Sequence, residues 1–183
     1  MNVGVQLYTL RKEIEQDFIG TLQKVKEIGY TGVEFAGYGS FTGKELKDVL
    51  SDLELTPVSS HVPITELENK LSRVLEFGVE IGLQYIVCPF PKDSQGGKRD
   101  YEELAESLNR IGEACKRAGI QLCYHHHDFE CVRFDGEYAL NLLLARTNPD
   151  FLMLEMDVYW AQMPMYHRPN ICENTPIVVP SFT

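Results

Sequence analysis

The stretch Gln121-Leu-Cys-Tyr-His-His-His-Asp-Phe-Glu-Cys131 begins as an apolar strand and ends in three imidazoles and two carboxylates. Side chains alternate between the two faces of a strand, so His125 and His127 share one face and Tyr124 and His126 take the other. Imidazoles and carboxylates are ligands of Zn, Mn, Co and Fe, and they are common proton carriers. A polar surface loop is the alternative interpretation, but a cluster directly after a buried strand is typical of barrel enzymes.

Apolar, strand-like segments alternate along the chain with segments of helical periodicity. The strand-like segments begin near residues 3, 30, 56, 84, 121 and 151, and the first of them extends from Val3 to Leu10. The first helical segment runs from Ile14 to Ile28, and the short fifth one runs from Gly136 to Arg146. Gly29, Gly82 and Gly119 follow three of the helical segments, where glycine favours the left-handed conformation that ends a helix. Strands that alternate with amphipathic helices predict a parallel sheet, which is either an open doubly wound sheet or a (β/α)8 barrel.

Two observations favour the barrel. Neither GxGxxG nor GxxxxGK[ST] follows any predicted strand, which removes the main signature of nucleotide-binding open sheets. Polar residues instead stand near the carboxyl ends of nearly all strands, and barrel enzymes build their sites on that face. We therefore predict a TIM-barrel type of α/β fold with about six parallel strands and outer helices. The strand-end residues are Gln6, Glu34, His61, His125, His127, Glu130 and Asp157.

Composition and charge restrict the class of partner. The chain has 183 residues, 44% of them hydrophobic, with a formal net charge of -10 and a pI of about 4.9. This acidity opposes nonspecific binding to nucleic acid or to anionic membranes. Five cysteines without CxxC spacing indicate reduced thiols rather than a disulfide framework. With no signal-peptide pattern and no long apolar run, we expect a cytoplasmic protein.

Four strand-end motifs resemble the sugar phosphate isomerase/epimerase family, which has a xylose isomerase-like TIM barrel and is related to inosose dehydratases and endonuclease IV. The motifs are GYTGVEFAG at 29–37, SSHVP at 59–63, YHHHDFE at 124–130 and LEMDVYW at 154–160. The resemblance covers residues 1 to about 160. It implies one divalent metal ion (Mn, Co, Mg or Zn) at the barrel mouth, with ligands from the ends of strands five to eight.

The resemblance also implies roles for single residues. Asp157 is the sixth-strand metal ligand, and a buried aspartate is costly unless it is paired or metal-bound. The fifth-strand ligand falls near His125, with Glu130 as the competing candidate. Glu130 and Glu34 are the predicted catalytic carboxylates, although Glu34 is equally well explained as an ion-pair partner. Glu155 receives no role. The predicted substrate contacts are Gln6, His61, His127 and Trp160.

The chain departs from the family after Trp160. Residues 161–183 hold four prolines and no helical stripe, whereas a complete barrel needs about 250 residues. We therefore expect residues 1–160 to form a partial barrel, truncated after the sixth strand, and residues 161–183 to form an irregular tail. The first and sixth strands would then be unpaired edges. Missing ligands would leave the metal weakly bound and the chain with little activity.

Three classes of function remain open. The leading hypothesis is a metal-dependent isomerase or epimerase of a small sugar or keto-sugar that proceeds through an enediolate-type intermediate. A keto-cyclitol dehydratase is the nearest alternative, and a non-catalytic barrel fragment is the third. The net charge opposes an endonuclease IV-like enzyme. Few basic residues flank the predicted site, which favours a neutral substrate, and homo-oligomer formation stays open. The exceptions are Lys92, Lys98 and Arg99.

Overall fold

The six predicted strands form one parallel sheet in the computed structural model, which describes residues 3–93 and 95–160 and the backbone of Ile177–Val178. The strands pair side by side in the order of the chain, and every neighbouring pair is parallel. Chain-order pairing confirms the barrel type, because a doubly wound sheet reverses its strand order. The strands are β1 Gly4–Gln6, β2 Gly32–Phe35, β3 Thr56–His61, β4 Tyr85–Cys88, β5 Gln121–His125, β8 Leu152–Glu155 and β9 Ile177–Val178.

The sheet is an incomplete barrel within the described residues, since β1 and β9 each have one neighbour. The prediction that the sixth strand is an unpaired edge is wrong. The backbone of β9 pairs with β8 in the register Leu154 to Ile177 and Glu155 to Val178. The rest of the predicted irregular tail lies outside the described residues, so the division of the chain at residue 160 stays a prediction.

Helices lie between the consecutive strands of the sheet from β1 to β8, as the apolar periodicity predicts. Gly29 and Gly82 adopt φ angles of 109° and 86° directly after two of the helices, and this left-handed conformation confirms their predicted role. In the described part of the chain, no helix is both long and apolar enough to cross a membrane. The helices are α1 Arg11–Gln16, α2 Phe18–Ile28, α3 Gly43–Asp52, α4 Ile64–Ile81, α5 Lys98–Arg117 and α6 Ala139–Arg146.

Two local expectations are wrong. The first strand ends at Gln6 rather than Leu10, because Leu7–Leu10 turn into a 3-10 helix that buries Leu7. The first helix is divided at Asp17, whose carboxylate accepts a hydrogen bond from the Gly20 backbone N–H and so caps α2.

The loop after β5 contains more structure than the sequence indicates. Phe129–Cys131 form a 3-10 turn, and an antiparallel ladder of β6 (Arg133–Phe134) and β7 (Glu137–Tyr138) follows it. The predicted fifth helix therefore begins at Ala139 rather than Gly136.

The hydrophobic core lies between the sheet and the helices. On β2, Val33 and Phe35 are fully buried in this core, while Glu34 between them contacts polar side chains of neighbouring strands. This alternation follows from the period of two in a strand. It leaves one face of the sheet for polar groups, and those groups form the candidate site.

Candidate functional site

Glu34, at the end of β2, is held by side chains from both neighbouring strands. The Gln6 amide donates to Glu34 Oε1 at 2.8 Å, and the Ser59 hydroxyl donates to Oε2 at 2.5 Å. His61 Nε2 lies 3.1 Å from the same Oε1. Both oxygens of this buried carboxylate are therefore paired, as a buried charge requires.

Glu155 joins His61 to the fifth strand. Its Oε2 lies 3.1 Å from His61 Nε2 and 3.0 Å from His125 Nδ1. The sheet register places Glu155 directly beside His125. Sequence reasoning gave Glu155 no role, yet it lies two residues before Asp157, and strand alternation puts both on one face. We call Gln6, Glu34, Ser59, His61, His125 and Glu155 the His61 network.

The His61 network fixes the charge of its central members. Burial favours the neutral imidazole, but hydrogen bonds to Glu155 and Glu34, together with their charges, outweigh burial and raise the pKa of His61 to about 9. Burial opposes ionisation of Glu155 as well, but hydrogen bonds from His125 and His61 lower its pKa to about 2. At neutral pH, His61 is thus an imidazolium beside an ionised carboxylate.

The network forms the floor of a cleft of about 990 Å³. Glu34 and Glu155 are buried behind His61, at 6% and 5% exposure. A clustering of site residues at the carboxyl ends of the strands is what the barrel type predicts. The predicted site residues that line the cleft are Gln6, His61, His125, His127, Asp157 and Trp160.

The Asp157 carboxylate faces the His125 imidazole. Its Oδ1 accepts hydrogen bonds from the backbone N–H groups of Tyr159 at 2.7 Å and Trp160 at 3.4 Å. Its Oδ2 lies 3.7 Å from His125 Nε2. The turn after β8 is therefore fixed by one carboxylate oxygen while the other points to the cleft imidazole.

His127 lies against aromatic side chains of the cleft. Its ring centroid is 4.8 Å from that of His125 and 5.6 Å from that of Trp160, and it stacks on Phe129 at 4.9 Å. Burial, followed by the nearby His125, lowers the pKa of His127 to about 4, so this ring is neutral at pH 7. Its Nδ1 is buried without a hydrogen-bond partner in the described structure. Such a nitrogen in a neutral imidazole is able to accept a hydrogen bond or to bind a metal ion.

Glu130 lies on the opposite face of β5, away from the cleft. It is fully buried, and it accepts hydrogen bonds from the Tyr124 hydroxyl at 2.5 Å and from the His127 backbone N–H at 2.8 Å. Burial raises the pKa of Glu130 to about 6, although these hydrogen bonds oppose the rise. The structure thus brings seven of the eight predicted site residues to the cleft or to the His61 network, and Glu130 stands apart from them.

One set of three donors has the spacing of a divalent metal site, and a second set of two donors overlaps it. Ligand atoms of His61, His125 and Glu155 lie within 4.8 Å of one another. In the second set, His125 Nε2 and Asp157 Oδ2 face each other at the cleft surface. Because His125 Nδ1 is hydrogen-bonded to Glu155, Nε2 is the nitrogen left for a metal, the usual arrangement for a metal-binding histidine. Imidazole and carboxylate donors suit the transition metals that the sequence predicts.

Comparison with known proteins identifies the family. The family model described as xylose isomerase-like TIM barrel matches residues 22–178, which is most of the chain. The chain therefore belongs to the xylose isomerase-like TIM barrel family, and the predicted resemblance is confirmed. This assignment agrees with the parallel, chain-order sheet and with the clustering of polar residues at its carboxyl end.

Individual relatives agree with this assignment. A sugar phosphate isomerase/epimerase from Parabacteroides distasonis superposes with a TM-score of 0.78 and 28% identity, over 91% of this chain and 68% of that chain. The inosose dehydratase of Lacticaseibacillus casei is 34% identical over 58 residues, which are 32% of this chain and 19% of that enzyme. The chain thus matches about a fifth of the length of this curated relative. The IOLI protein with a bound zinc atom shares the fold, with a TM-score of 0.62 and 11% identity over 84% of this chain and 62% of that chain.

Proposed function

We propose that this chain belongs to an enzyme that isomerises or epimerises a small keto-sugar by metal-assisted proton transfer next to a carbonyl group. The observation that carries the proposal is the His61 network, in which an imidazolium joins two buried carboxylates at the floor of a cleft. Such a network places a proton donor beside a proton acceptor, as carbon acid chemistry requires. The proposed setting is cytoplasmic.

The metal ion would be held by His125 and Asp157. Both line the cleft, whereas Glu155 is buried and orients His125 through Nδ1. His127 supplies a neutral imidazole next to them. A divalent ion in this place would act as a Lewis acid on the carbonyl and hydroxyl oxygens of the sugar.

Glu34 and His61 would move the protons. Glu34 would accept the proton from the carbon beside the carbonyl, and the His61 imidazolium would donate a proton to the carbonyl oxygen. Because Glu34 lies behind His61 in the free protein, this step requires the His61 ring to turn away from Glu34 Oε1 when the sugar binds. The product of these two transfers is an enediol. Returning a proton to the former carbonyl carbon gives the isomer, and returning it to the opposite face of the original carbon gives the epimer. In either case His61 takes back a proton from the hydroxyl group that becomes the carbonyl. The Gln6 and Ser59 hydrogen bonds hold Glu34 in one orientation for this task. Trp160 and His127 would bind the sugar ring.

A keto-cyclitol dehydratase is the second candidate. The local identity to inosose dehydratase favours it, and so does the charge state of His61. After the same removal of a proton, the imidazolium would protonate a departing hydroxyl group, so that water leaves and a carbon–carbon double bond forms. The two reactions differ in product, because only the dehydratase forms an unsaturated ketone that absorbs in the ultraviolet.

The experiment is to strip the chain of metal, add Mn, Co, Mg or Zn in turn, and measure bound metal and turnover on ketoses and keto-inositols. We expect metal-dependent turnover below the ordinary range of roughly 1 to 1000 per second, because the described donors leave several coordination positions to water. Turnover in that range would contradict the predicted weak metal binding. Absence of turnover with every metal and substrate would instead favour the non-catalytic barrel fragment.

The same experiment separates the two donor sets. Asp157→Asn removes a ligand only if Asp157 binds the metal, and His61→Gln does so only if the set of His61, His125 and Glu155 binds it. We expect Asp157→Asn to weaken metal binding by at least tenfold, within the range of about 10- to 100-fold known for altered metal-site partners. Glu106→Gln, on the exposed surface of α5, is the matched control.

A further inference from the structure

The cleft continues well beyond the His61 network. From His61 it extends outward between the loop of residues 36–41, which follows β2, and helix α4, which follows β3. We call this part the outer half of the cleft. The proposed chemistry uses none of its side chains, which are Tyr38, Phe41, Glu66, Lys70, Arg73, Val74 and Phe77.

Aromatic side chains form the wall of the outer half. Tyr38 and Phe77 lie with ring centroids 4.3 Å apart, and Phe41 stands near them in the same loop. Tyr38, Phe41 and Phe77 are half-buried, so each packs on the core and still presents a surface to the cleft. Gly37 and Gly39, with φ angles of 103° and 60°, shape the loop, and no side chain on either glycine narrows the entrance.

Charged groups stand at the exposed edge of the same region. Lys70 and Arg73 line it and form no ion pair in the part of the chain that the structure describes. Helix α4 departs from helical geometry at Lys70, with φ −137° and ψ 26°, which bends the helix beside the cleft. Glu66 lines the same region, so these two positive charges and one negative charge leave a net charge of +1. The three side chains supply hydrogen-bond donors and an acceptor for the hydroxyl groups of a ligand.

The size of the cleft exceeds what one sugar ring fills. Its volume of about 990 Å³ lies at the upper end of the roughly 300–1,000 Å³ range of pockets that hold drug-sized ligands. A monosaccharide is much smaller than such a ligand. If the reacting ring lies at His61 and Asp157, the outer half remains for a second group of comparable size.

We infer that the outer half of the cleft is a second sugar subsite, and that the substrate is a two-ring glycoside in which the keto-sugar carries another sugar. The C–H face of the second ring packs on Tyr38 and Phe77 as an apolar surface does. Its hydroxyl groups take hydrogen bonds from Lys70 and Arg73 and give one to Glu66. The identity of the reacting ring rests on the proposed function, whereas the subsite rests on the cleft alone.

The test compares binding of D-fructose with binding of the disaccharides maltose, cellobiose and sucrose, by calorimetry on the metal-loaded chain. We expect at least one disaccharide to bind about tenfold more tightly than D-fructose, the gain expected from one aromatic contact plus buried area. Val74→Trp fills the outer half and should abolish this preference while leaving D-fructose binding unchanged. Val79→Trp, on an exposed position of the same helix, is the matched control.

Equal binding of D-fructose and of every disaccharide would overturn the inference, and so would a disaccharide preference that survives Val74→Trp in a folded protein. Circular dichroism of each variant establishes that it is folded, and Tyr38→Ala provides a second removal of the aromatic wall. Calorimetry needs no turnover. A disaccharide preference in a chain without isomerase activity would therefore contradict the proposed function and leave the subsite standing.

Discussion

The environment of His61 makes the stability of the folded chain depend on pH. Its pKa rises from 6.5 to about 9 in the folded chain, so the folded state holds this proton more tightly than the unfolded state. The stabilisation is fully present below pH 6.5 and is lost as the pH rises toward 9.

Glu155 affects the stability at low pH. Its pKa falls from 4.5 to about 2, so its contribution is present above pH 4.5 and is lost as the pH falls toward 2.

We predict that the free energy of unfolding of the metal-free chain falls by roughly 2–3 kcal/mol between pH 6.5 and 9, given about 1.4 kcal/mol per pKa unit. His61→Gln should remove most of that fall. The measurement is urea unfolding at several pH values with a chelator present. An equal pH dependence in the wild-type chain and in the variant would show that His61 does not hold its proton in the folded state.

Glu130 tests the alternative that the sequence left open for the fifth-strand ligand. Because it is paired with Tyr124 and the His127 backbone, we predict that Glu130→Gln costs about 1–3 kcal/mol of stability, the price of an imperfectly paired buried group. Metal affinity should fall less than in Asp157→Asn. Thermal unfolding and metal titration measure the two effects, with the exposed Asp128→Asn as control. Loss of the metal from a folded Glu130→Gln chain would identify Glu130 as a ligand.

The residues of the site were predictable to different degrees. Gln6, Glu34, His61, His125, His127, Asp157 and Trp160 all stand at strand ends, and the barrel topology brings strand ends together, so their convergence follows from the sequence. The position of Glu130 does not follow from the sequence, because it depends on the 3-10 turn at Phe129–Cys131. This turn brings Glu130 back to Tyr124. Glu155 was missed although the alternation that selected Asp157 selects it too. Its importance comes from the register beside His125, which requires the sheet pairing.

Helix α5 packs closely against the backbone just before β8, and the contact is made at Gly112. No other glycine of the described residues comes as close to the backbone of another element. A Cβ atom on Gly112 would lie 2.4 Å from the Phe151 carbonyl oxygen and 3.0 Å from its carbonyl carbon. We predict that Gly112→Ala destabilises the chain by about 1–3 kcal/mol through overpacking. Thermal unfolding measures this loss, and Glu106→Ala on the exposed face of α5 is the control. Equal stability of the two variants would mean that α5 moves away without cost.

The elements themselves follow closely from apolar periodicity, and the exceptions have local causes. Helix ends at Gly29 and Gly82 were correct because only glycine adopts their φ angles cheaply. The first strand was predicted too long because Leu7 is apolar in either conformation, and periodicity over so few residues does not distinguish a strand from a 3-10 turn. The pairing of β9 was not foreseen because two apolar residues in a proline-rich segment carry no periodicity.

At the scale of the whole molecule, the sheet explains why residues far apart in sequence form one site. Parallel strands in chain order set the carboxyl ends of β1, β2, β3, β5 and β8 around one cleft. The members of the His61 network therefore come from positions 6 to 155. Only Ser59 and His61 among them are close in sequence. Any change that shifts the register of β5 against β8 separates His125 from Glu155 and changes the site as a unit.

We propose that this cleft removes a proton from the carbon beside a sugar carbonyl, with Glu34 as the base and a metal ion held by His125 and Asp157. The most direct measurement is the incorporation of deuterium at that carbon by NMR, with ketoses, keto-inositols and keto-glycosides in D2O. We predict exchange that requires added metal and falls by about 10²- to 10⁴-fold in Glu34→Gln, the usual contribution of a general base. Absence of exchange with every substrate in the metal-loaded chain would contradict this chemistry, and so would exchange in Glu34→Gln that is as fast as in the wild-type chain.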